Sequence, residues 1–267
     1  MGTLSVLPAV MPSRVDRMVG GRAMVLAPFV GVLLGGISGG VVAVAQFLRP
    51  DADLLAAVLG VLVLVVLSGA LHLDGLADFA DALGSRRDRA TMLRIMKQSD
   101  IGPFGVVAIT AVLLLDVAAL TACVQAGFGW QAVLIATTAS RLTLPWTCRT
   151  TIPPARPDGL GATVAATVRP LTAVVTTLAV LAAALMLAWL STPIIPPGGA
   201  PLTFDQVSSI DGELLAGTAT AVLLALVVSL LTTRRARTAL GGTTGDVLGA
   251  AIELTLPTTL LALALTT

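Results

Sequence analysis

Three aspartates follow an apolar stretch with the spacing of a single helix face. Asp78 and Asp81 lie four and seven residues after Asp74, directly beyond the apolar run 54–73. If the helix of that run continues, all three carboxylates share one face. Carboxylate oxygens with little sulfur or imidazole nearby favour Mg²⁺ or Mn²⁺ over Zn²⁺. The pattern therefore predicts a Mg²⁺ site with Asp74, Asp78 and Asp81 as ligands, and the common partner of such an ion is a phosphate or diphosphate.

Two further arguments bear on these carboxylates. A run of charges is often just a solvated face or a helix cap, so this alternative stays open. At the C-terminal end of a continuing helix, however, the helix dipole disfavours negative charge, and a bound cation would remove that penalty. His72, the single histidine, falls on a different face, and we expect it to be interfacial or hydrogen-bonded rather than a ligand.

A basic segment follows the aspartates. Between Ser85 and Gly105, arginines and a lysine interleave with apolar residues, and Arg86 and Lys97 are the candidates for binding phosphate. The same pattern is typical of an amphipathic helix on anionic lipid. The two interpretations are compatible, because a basic helix beside a carboxylate site can also hold phosphate oxygens.

Two glycine-containing segments nearer the C-terminus add further candidates. Arg156 precedes Gly159 and Gly161, where a backbone can approach an anion closely, although a plain Pro/Gly loop looks the same. The segment 234–253 begins with basic residues including Arg235 and continues through a Gly-rich turn to a helix start, a favourable place for phosphate. There, Asp246 is either a binding residue or an N-cap. Glu253, seven residues later, shares the helix face of Asp246 and lies about 10 Å deeper in the apolar span, so it is a functional candidate.

Two charges lie inside apolar spans. Asp116 and Arg141 are at similar distances from the turn near Phe128, so the predicted hairpin brings them to the same depth. We expect them to form an ion pair that organises the structure or the binding pocket, and Arg141 is included among the substrate-binding candidates.

The elements that must position these residues are membrane helices. Hydrophobic residues make up 56% of the 267 residues and charged residues only 12%, and the mean hydropathy is +0.96. These values predict an all-α, polytopic membrane protein forming one domain over 1–267, with 74–102 as an Asp-rich and basic active-site loop.

Scarce aromatic residues give no stacking platform, so no nucleic-acid partner is expected. Seven spans are predicted, at about 24–48, 54–73, 103–126, 130–148, 171–190, 214–232 and 247–265.

The basic residues set the expected orientation. Nearly all of the 16 lysines and arginines fall in four segments on one side of the predicted spans. These segments are 14–22, 86–97, 149–169 and 234–237. Positive residues are retained in the cytoplasm, so the N-terminus and these segments are predicted to be cytoplasmic, in a multi-pass protein of the cell membrane.

Five ordered motifs resemble the cobalamin synthase family, the adenosylcobinamide-GDP ribazoletransferases. They span most of the chain. The motifs are HLDGLADFADALG (72–84), RRDRATMLRIMKQSDIGPFG (86–105), Ser140–Arg141, PARPDGLG (154–161) and GGTTGDVLGA (241–250).

The resemblance implies a membrane transferase that joins α-ribazole, or its 5′-phosphate, to adenosylcobinamide-GDP and releases GMP, with Mg²⁺ as cofactor. Asp74, Asp78 and Asp81 would hold the ion at the diphosphate, and Asp81 would take the ribazole hydroxyl proton. A homo-oligomer is left open. The alternatives are a CDP-alcohol phosphotransferase, a polyprenyl-transferring enzyme and, outside enzymes, a small-molecule transporter using Asp116, Arg141 and Glu253.

Overall fold

The structure is a computed structural model that describes residues 4–8, 16–191 and 204–266. Arg14 and most of the Pro/Gly segment 191–205 lie outside the described residues. Every regular element of the described residues is a helix, which confirms the all-α class. The helices are α1 (Arg17–Val25), α2 (Ala27–Leu48), α3 (Asp53–Ser68), α4 (Leu71–Gly84), α5 (Arg89–Ile95), α6 (Pro103–Gln125), α7 (Gly129–Arg141), α8 (Thr143–Thr147), α9 (Gly159–Val164), α10 (Pro170–Leu190), α11 (Phe204–Leu240) and α12 (Gly245–Ala264).

Five helices are long and apolar enough to cross a membrane, namely α2, α6, α10, α11 and α12. The bent pair α3 and α4 raises this number to six if the pair counts as one span. The predicted span 130–148 is divided between α7 and the short α8 and is not among the candidates. Leu142 separates the two helices. Most residues of both helices are buried, so this region is held by packing against its neighbours and does not form one long apolar helix.

The helix of the second apolar run does not continue through the aspartates, which corrects that expectation. α3 ends at Gly69 and Ala70, whose φ angles of 62° and 57° are left-handed. There the backbone N–H of Ala70 donates to Val65 O at 2.9 Å and closes the helix end. The chain turns by 86° before α4 begins. Asp74 therefore lies in the first turn of a new helix, where the dipole favours a carboxylate instead of penalising it.

The last helix forms the centre of the bundle. α12 is the most buried of the candidate spans and packs against α4, α6, α7 and α11. On the other side of α7, α2 approaches closely through three glycines that lie on one face of α2 along about two turns. A Cβ at Gly31, Gly35 or Gly39 would lie within 3 Å of α7 backbone atoms. Small residues of this kind allow membrane helices to pack backbone against backbone.

Candidate active site

A cavity of about 350 Å³ lies where α4 and α12 begin. Its lining comes from segments that are far apart in sequence: the N-terminal residues Leu4 and Met24, the start of α4, Lys97, the segment 156–161 and the segment 243–249. Four of the predicted site residues line it together. These are Asp74, Lys97, Arg156 and Asp246.

Close packing of two glycines brings α4 and α12 together at this cavity. A Cβ on Gly75 would lie 2.9 Å from Asp246 O and 3.0 Å from Asp246 Cα. On α12, a Cβ on Gly249 would likewise lie only 3.1 Å from His72 Cα of α4. The helices therefore touch through their backbones, and this contact places the first turns of both helices, with Asp74 and Asp246, side by side.

Two short backbone contacts join the predicted Gly-rich segments. The N–H of Ala155 donates to Thr243 O and the N–H of Thr243 donates to Pro153 O, both at 2.9 Å. Thr244 is the N-cap of α12, because its hydroxyl accepts from the N–H of Val247 at 3.3 Å. The N-cap alternative for Asp246 is therefore wrong. Gly245 and Asp246 line the cavity, and their N–H groups, at the start of α12, have no acceptor within the helix.

Asp246 is held by a cation from the neighbouring segment. Arg156 Nη2 donates to Asp246 Oδ2 at 2.8 Å, with both side chains largely buried. The hydroxyl of Thr244 lies 3.2 Å from the same oxygen. This arrangement fixes a guanidinium and a carboxylate at the helix N-terminus, beside the lining residues Gly159 and Gly161.

A second ion pair lies at the mouth of the cavity. Lys97 Nζ is 2.7 Å from Asp158 Oδ2, and both side chains are more than half exposed. The hydrogen bond from Lys97, and then its charge, lower the pKa of Asp158 below the usual value. Asp158 is not among the residues predicted from the sequence. Its position between Arg156 and the glycines Gly159 and Gly161 could have indicated that it belongs to the site.

The carboxylates near the cavity are crowded. Asp78 is half-buried on α4, beyond the bend and outside the five continuous spans. Burial first, and then repulsion from Asp246, Asp74 and Asp81, raise the pKa of Asp78 to about 7. Arg156 is the one cation that opposes this shift. The excess of negative charge is the kind that a divalent cation would compensate.

Asp81 is engaged elsewhere. Its Oδ2 accepts from the N–H of Gly102 at 2.7 Å and its Oδ1 from the N–H of Gly105 at 2.9 Å. Gly102 is the N-cap of α6 and has no side chain, so Asp81 supplies the capping oxygens from α4. It does not line the cavity. Within the described part of the chain, no three His, Cys, Asp or Glu side chains form a group able to hold a metal ion.

Two predicted phosphate-binding residues lie away from the cavity. Arg86 and Arg235 are exposed and absent from its lining. Arg86 lies just after α4 with a left-handed φ of 50°, and Arg235 lies in the last turns of α11.

Buried charges form a separate cluster beneath the cavity. Asp116, Arg141 and Glu253 surround a void of about 10 Å³ with mostly aliphatic walls. The described residues contain no ion pair between Asp116 and Arg141, so the expected direct pair is wrong. Three ionisable side chains, instead of the expected two, lie around the void. Arg141 Nη1 instead donates to the Ser140 hydroxyl at 2.9 Å.

His72 connects this cluster to the cavity. It lines the cavity, is only 3% exposed, and its Nδ1 lies 3.8 Å from Glu253 Oε1. Neither ring nitrogen forms a hydrogen bond. The expectation of an interfacial or hydrogen-bonded histidine is therefore wrong, because the close α4–α12 crossing covers the ring.

Comparison with known proteins identifies the family. The sequence model of the family described as cobalamin-5-phosphate synthase (CobS) matches residues 1–264. The protein named adenosylcobinamide-GDP ribazoletransferase in Frankia casuarinae is 42% identical over 98% of this chain and 92% of its own length. Proteins of the same name from a Nocardioides species and from Pseudomonas aeruginosa are 36% and 40% identical, over 98% and 92% of this chain and 95% and 87% of theirs. No solved structure matches the chain. Because the match covers nearly every residue, the chain belongs to the cobalamin-5-phosphate synthase (CobS) family.

Proposed function

We propose that the protein is an adenosylcobinamide-GDP ribazoletransferase, the enzyme that completes the nucleotide loop of cobalamin. The single observation that carries the assignment to this cavity is the meeting of Asp74, Lys97, Arg156 and Asp246 from four separate family motifs. The reaction forms a bond between a ribazole hydroxyl oxygen and the phosphorus attached to cobinamide. The bond from that phosphorus to GMP breaks, and the hydroxyl proton is lost.

The residues of the cavity suit a diphosphate. Arg156 offers a guanidinium whose remaining N–H groups can donate to phosphate oxygens while Asp246 holds it in place. The free N–H groups at the start of α12 add donors that match an anion. Lys97 can leave Asp158 for the ligand at small cost, because an exposed ion pair is weak.

The donor set also fits Mg²⁺. Asp74 and Asp246 line the cavity and Asp78 lies beside them, so several carboxylate oxygens, which are ligands that Mg²⁺ prefers, are available. Mg²⁺ commonly uses one or two carboxylates and completes its shell with phosphate oxygens and water, so a preformed group of three is not needed. When bound, such an ion would offset negative charge on the diphosphate during displacement.

Asp81 has a positioning role in this proposal instead of the predicted roles of ligand and proton acceptor. Both of its oxygens already accept backbone N–H groups of α6. It thereby fixes the end of α4 that carries Asp78.

We infer that the cavity faces the cytoplasm of a cell-membrane protein. The residues that line it belong to four parts of the chain, namely Leu4 and Met24, 71–97, 156–161 and 243–249, and a pair of apolar segments separates each part from the next. Each pair would leave and return to one side if α3 and the combined α7–α8 also cross, giving seven crossings. The basic segments fall on that same side, which supports a cytoplasmic site.

The alternatives are less well supported. A CDP-alcohol phosphotransferase or polyprenyl-transferring enzyme would not account for the full-length family match. A transporter would account for the buried charges but not for an exposed cavity that combines carboxylates with Arg156 and Lys97.

The test is an assay of the purified full-length protein in detergent with adenosylcobinamide-GDP, α-ribazole and Mg²⁺. GMP should be released only when both substrates are present, with the coupled corrinoid formed in equal amount. GMP release that is independent of α-ribazole would indicate a hydrolase, and no release with either ribazole or its 5′-phosphate would contradict the proposal.

A further inference from the structure

A second basic cavity lies outside the candidate active site. It has a volume of about 570 Å³ and is lined by Arg149, Ile152, Leu230, Thr233, Arg234, Arg237 and Thr238. None of its lining residues lines the cavity at the start of α4 and α12. We call it the arginine pocket.

The three guanidinium groups of the arginine pocket have no counter-charge. No carboxylate is among its lining residues, and none of the three arginines forms an ion pair within the described ranges. Burial, followed by repulsion from Arg237, lowers the pKa of Arg149. Its Nε is buried without a hydrogen-bond partner. Like charges converging in this way favour an anion between them.

The pocket is also held in shape before any ligand arrives. The Arg149 guanidinium carbon lies 4.8 Å from the centre of the Trp146 ring, a cation–π contact. Trp146 in turn donates its Nε1–H to the hydroxyl of Thr177 on α10 at 2.9 Å. The backbone around Arg149 is fixed as well, because the N–H of Thr150 donates to Val168 O at 2.8 Å.

An apolar path leads from the arginine pocket along α11. Val227, Leu230 and Arg234 follow one another at helical spacing, so they lie in one row. Val227 and Leu230 are 46% and 41% exposed, and Leu231 beside them is 58% exposed. These residues belong to the candidate span Gly212–Leu240, whose exposed apolar surface faces lipid chains if the helix crosses the membrane. A ligand that fits both parts has an anionic head and a hydrocarbon tail.

We propose that the arginine pocket binds the headgroup phosphate of an anionic phospholipid, with an acyl chain along Val227 and Leu230. Basic pockets between membrane helices on the cytoplasmic side are suited to such headgroups. The indole of Trp146 at the same level fits the membrane interface. A soluble phosphate compound would use the arginines but would leave the apolar row without a role.

The experiment measures lipid bound to the purified full-length protein by native mass spectrometry. The protein is reconstituted in nanodiscs of equimolar phosphatidylcholine and phosphatidylglycerol. The wild type should retain phosphatidylglycerol preferentially. The double variant Arg234→Gln/Arg237→Gln should bind it roughly thirtyfold more weakly, since each of the two basic groups contributes about one kcal/mol at the interface and 1.4 kcal/mol is tenfold.

Two controls separate the pocket from general surface charge. The variant Arg22→Gln/Arg169→Gln removes the same charge from exposed positions outside the pocket and should retain phosphatidylglycerol as the wild type does. Arg234→Lys/Arg237→Lys keeps the charge and should retain most of the binding.

Several results would overturn the proposal. Equal retention of the two lipids by the wild type would do so without any variant. Equal losses in the two glutamine variants would indicate non-specific attraction. Displacement of the lipid by millimolar inorganic phosphate alone would assign the pocket to a soluble anion. The assay does not use turnover, so its failure leaves the proposed transferase function untouched.

Discussion

Gly75 of α4 lies in backbone contact with Asp246 of α12, so close that a Cβ on Gly75 would be 2.9 Å from Asp246 O. This contact sets the distance between the two helix starts that carry Asp74 and Asp246. The geometry of the candidate site therefore depends on a residue that has no side chain and takes no part in chemistry.

Replacing Gly75 with alanine should damage the site. The added methyl group forces α4 and α12 apart at a cost of about 1–3 kcal/mol, and a displacement near 1 Å can cost roughly a hundredfold in rate. GMP release and thermal unfolding in detergent measure the two effects. Gly36→Ala is the matched control, because a Cβ at Gly36 meets no atom within 4 Å. Equal activity of the two variants would contradict the importance of the crossing.

Asp81 should affect stability rather than metal dependence. Asp81→Ala removes the oxygens that cap α6, so the free energy of unfolding should fall by about 0.5–2 kcal/mol. The Mg²⁺ concentration that gives half-maximal GMP release should stay close to the wild-type value. Normal thermal stability combined with a large shift in Mg²⁺ dependence would instead support the metal-ligand role expected from the sequence.

Lys97 should matter for substrate binding and little for folding. Its ion pair with Asp158 is exposed, so Lys97→Ala should leave the unfolding temperature almost unchanged. The KM for adenosylcobinamide-GDP should rise because a cation at the cavity mouth is lost. Asp158→Ala frees Lys97 for the ligand, and the same steady-state measurement should show no such rise. A rise in both variants would show that the ion pair itself is needed.

Arg141 should be important for folding. Arg141→Gln leaves the buried Asp116 and Glu253 without their cation, a change that typically costs about 3–5 kcal/mol. Glu253→Gln removes one of the two buried carboxylates that would lack a cation. The double variant Arg141→Gln/Glu253→Gln should therefore be more stable than Arg141→Gln alone. Thermal unfolding of the single and double variants forms the cycle that measures this coupling. Strictly additive effects would mean that the two residues do not interact.

Much of the fold and part of the site followed from composition and spacing. Five of the seven predicted spans coincide with candidate spans, and the family motifs contained Asp74, Lys97, Arg156 and Asp246, which meet in one cavity. These features depend on sequence-local properties such as hydropathy and helix-start chemistry.

The features that sequence reasoning missed depend on contacts between distant residues. Hydropathy predicts an unbroken apolar helix through Gly69, because residues in the left-handed conformation leave the hydropathy unchanged. Asp81 has the same spacing as a ligand, but its partners are two N–H groups at the start of α6. The predicted pair of Asp116 and Arg141 rests on their equal depth alone, and depth does not determine the direction in which side chains point.

The central claim is that carboxylates at this cavity hold a divalent ion on a diphosphate. The most direct measurement is a Mg²⁺ titration of GMP release by the wild type, by Asp74→Asn and by Asp51→Asn, an exposed carboxylate outside the cavity. The wild type and Asp51→Asn should respond alike and lose activity in EDTA, while Asp74→Asn should stay near the EDTA background at all Mg²⁺ concentrations. Wild-type turnover that persists in EDTA, or a normal Mg²⁺ response in Asp74→Asn, would contradict the account.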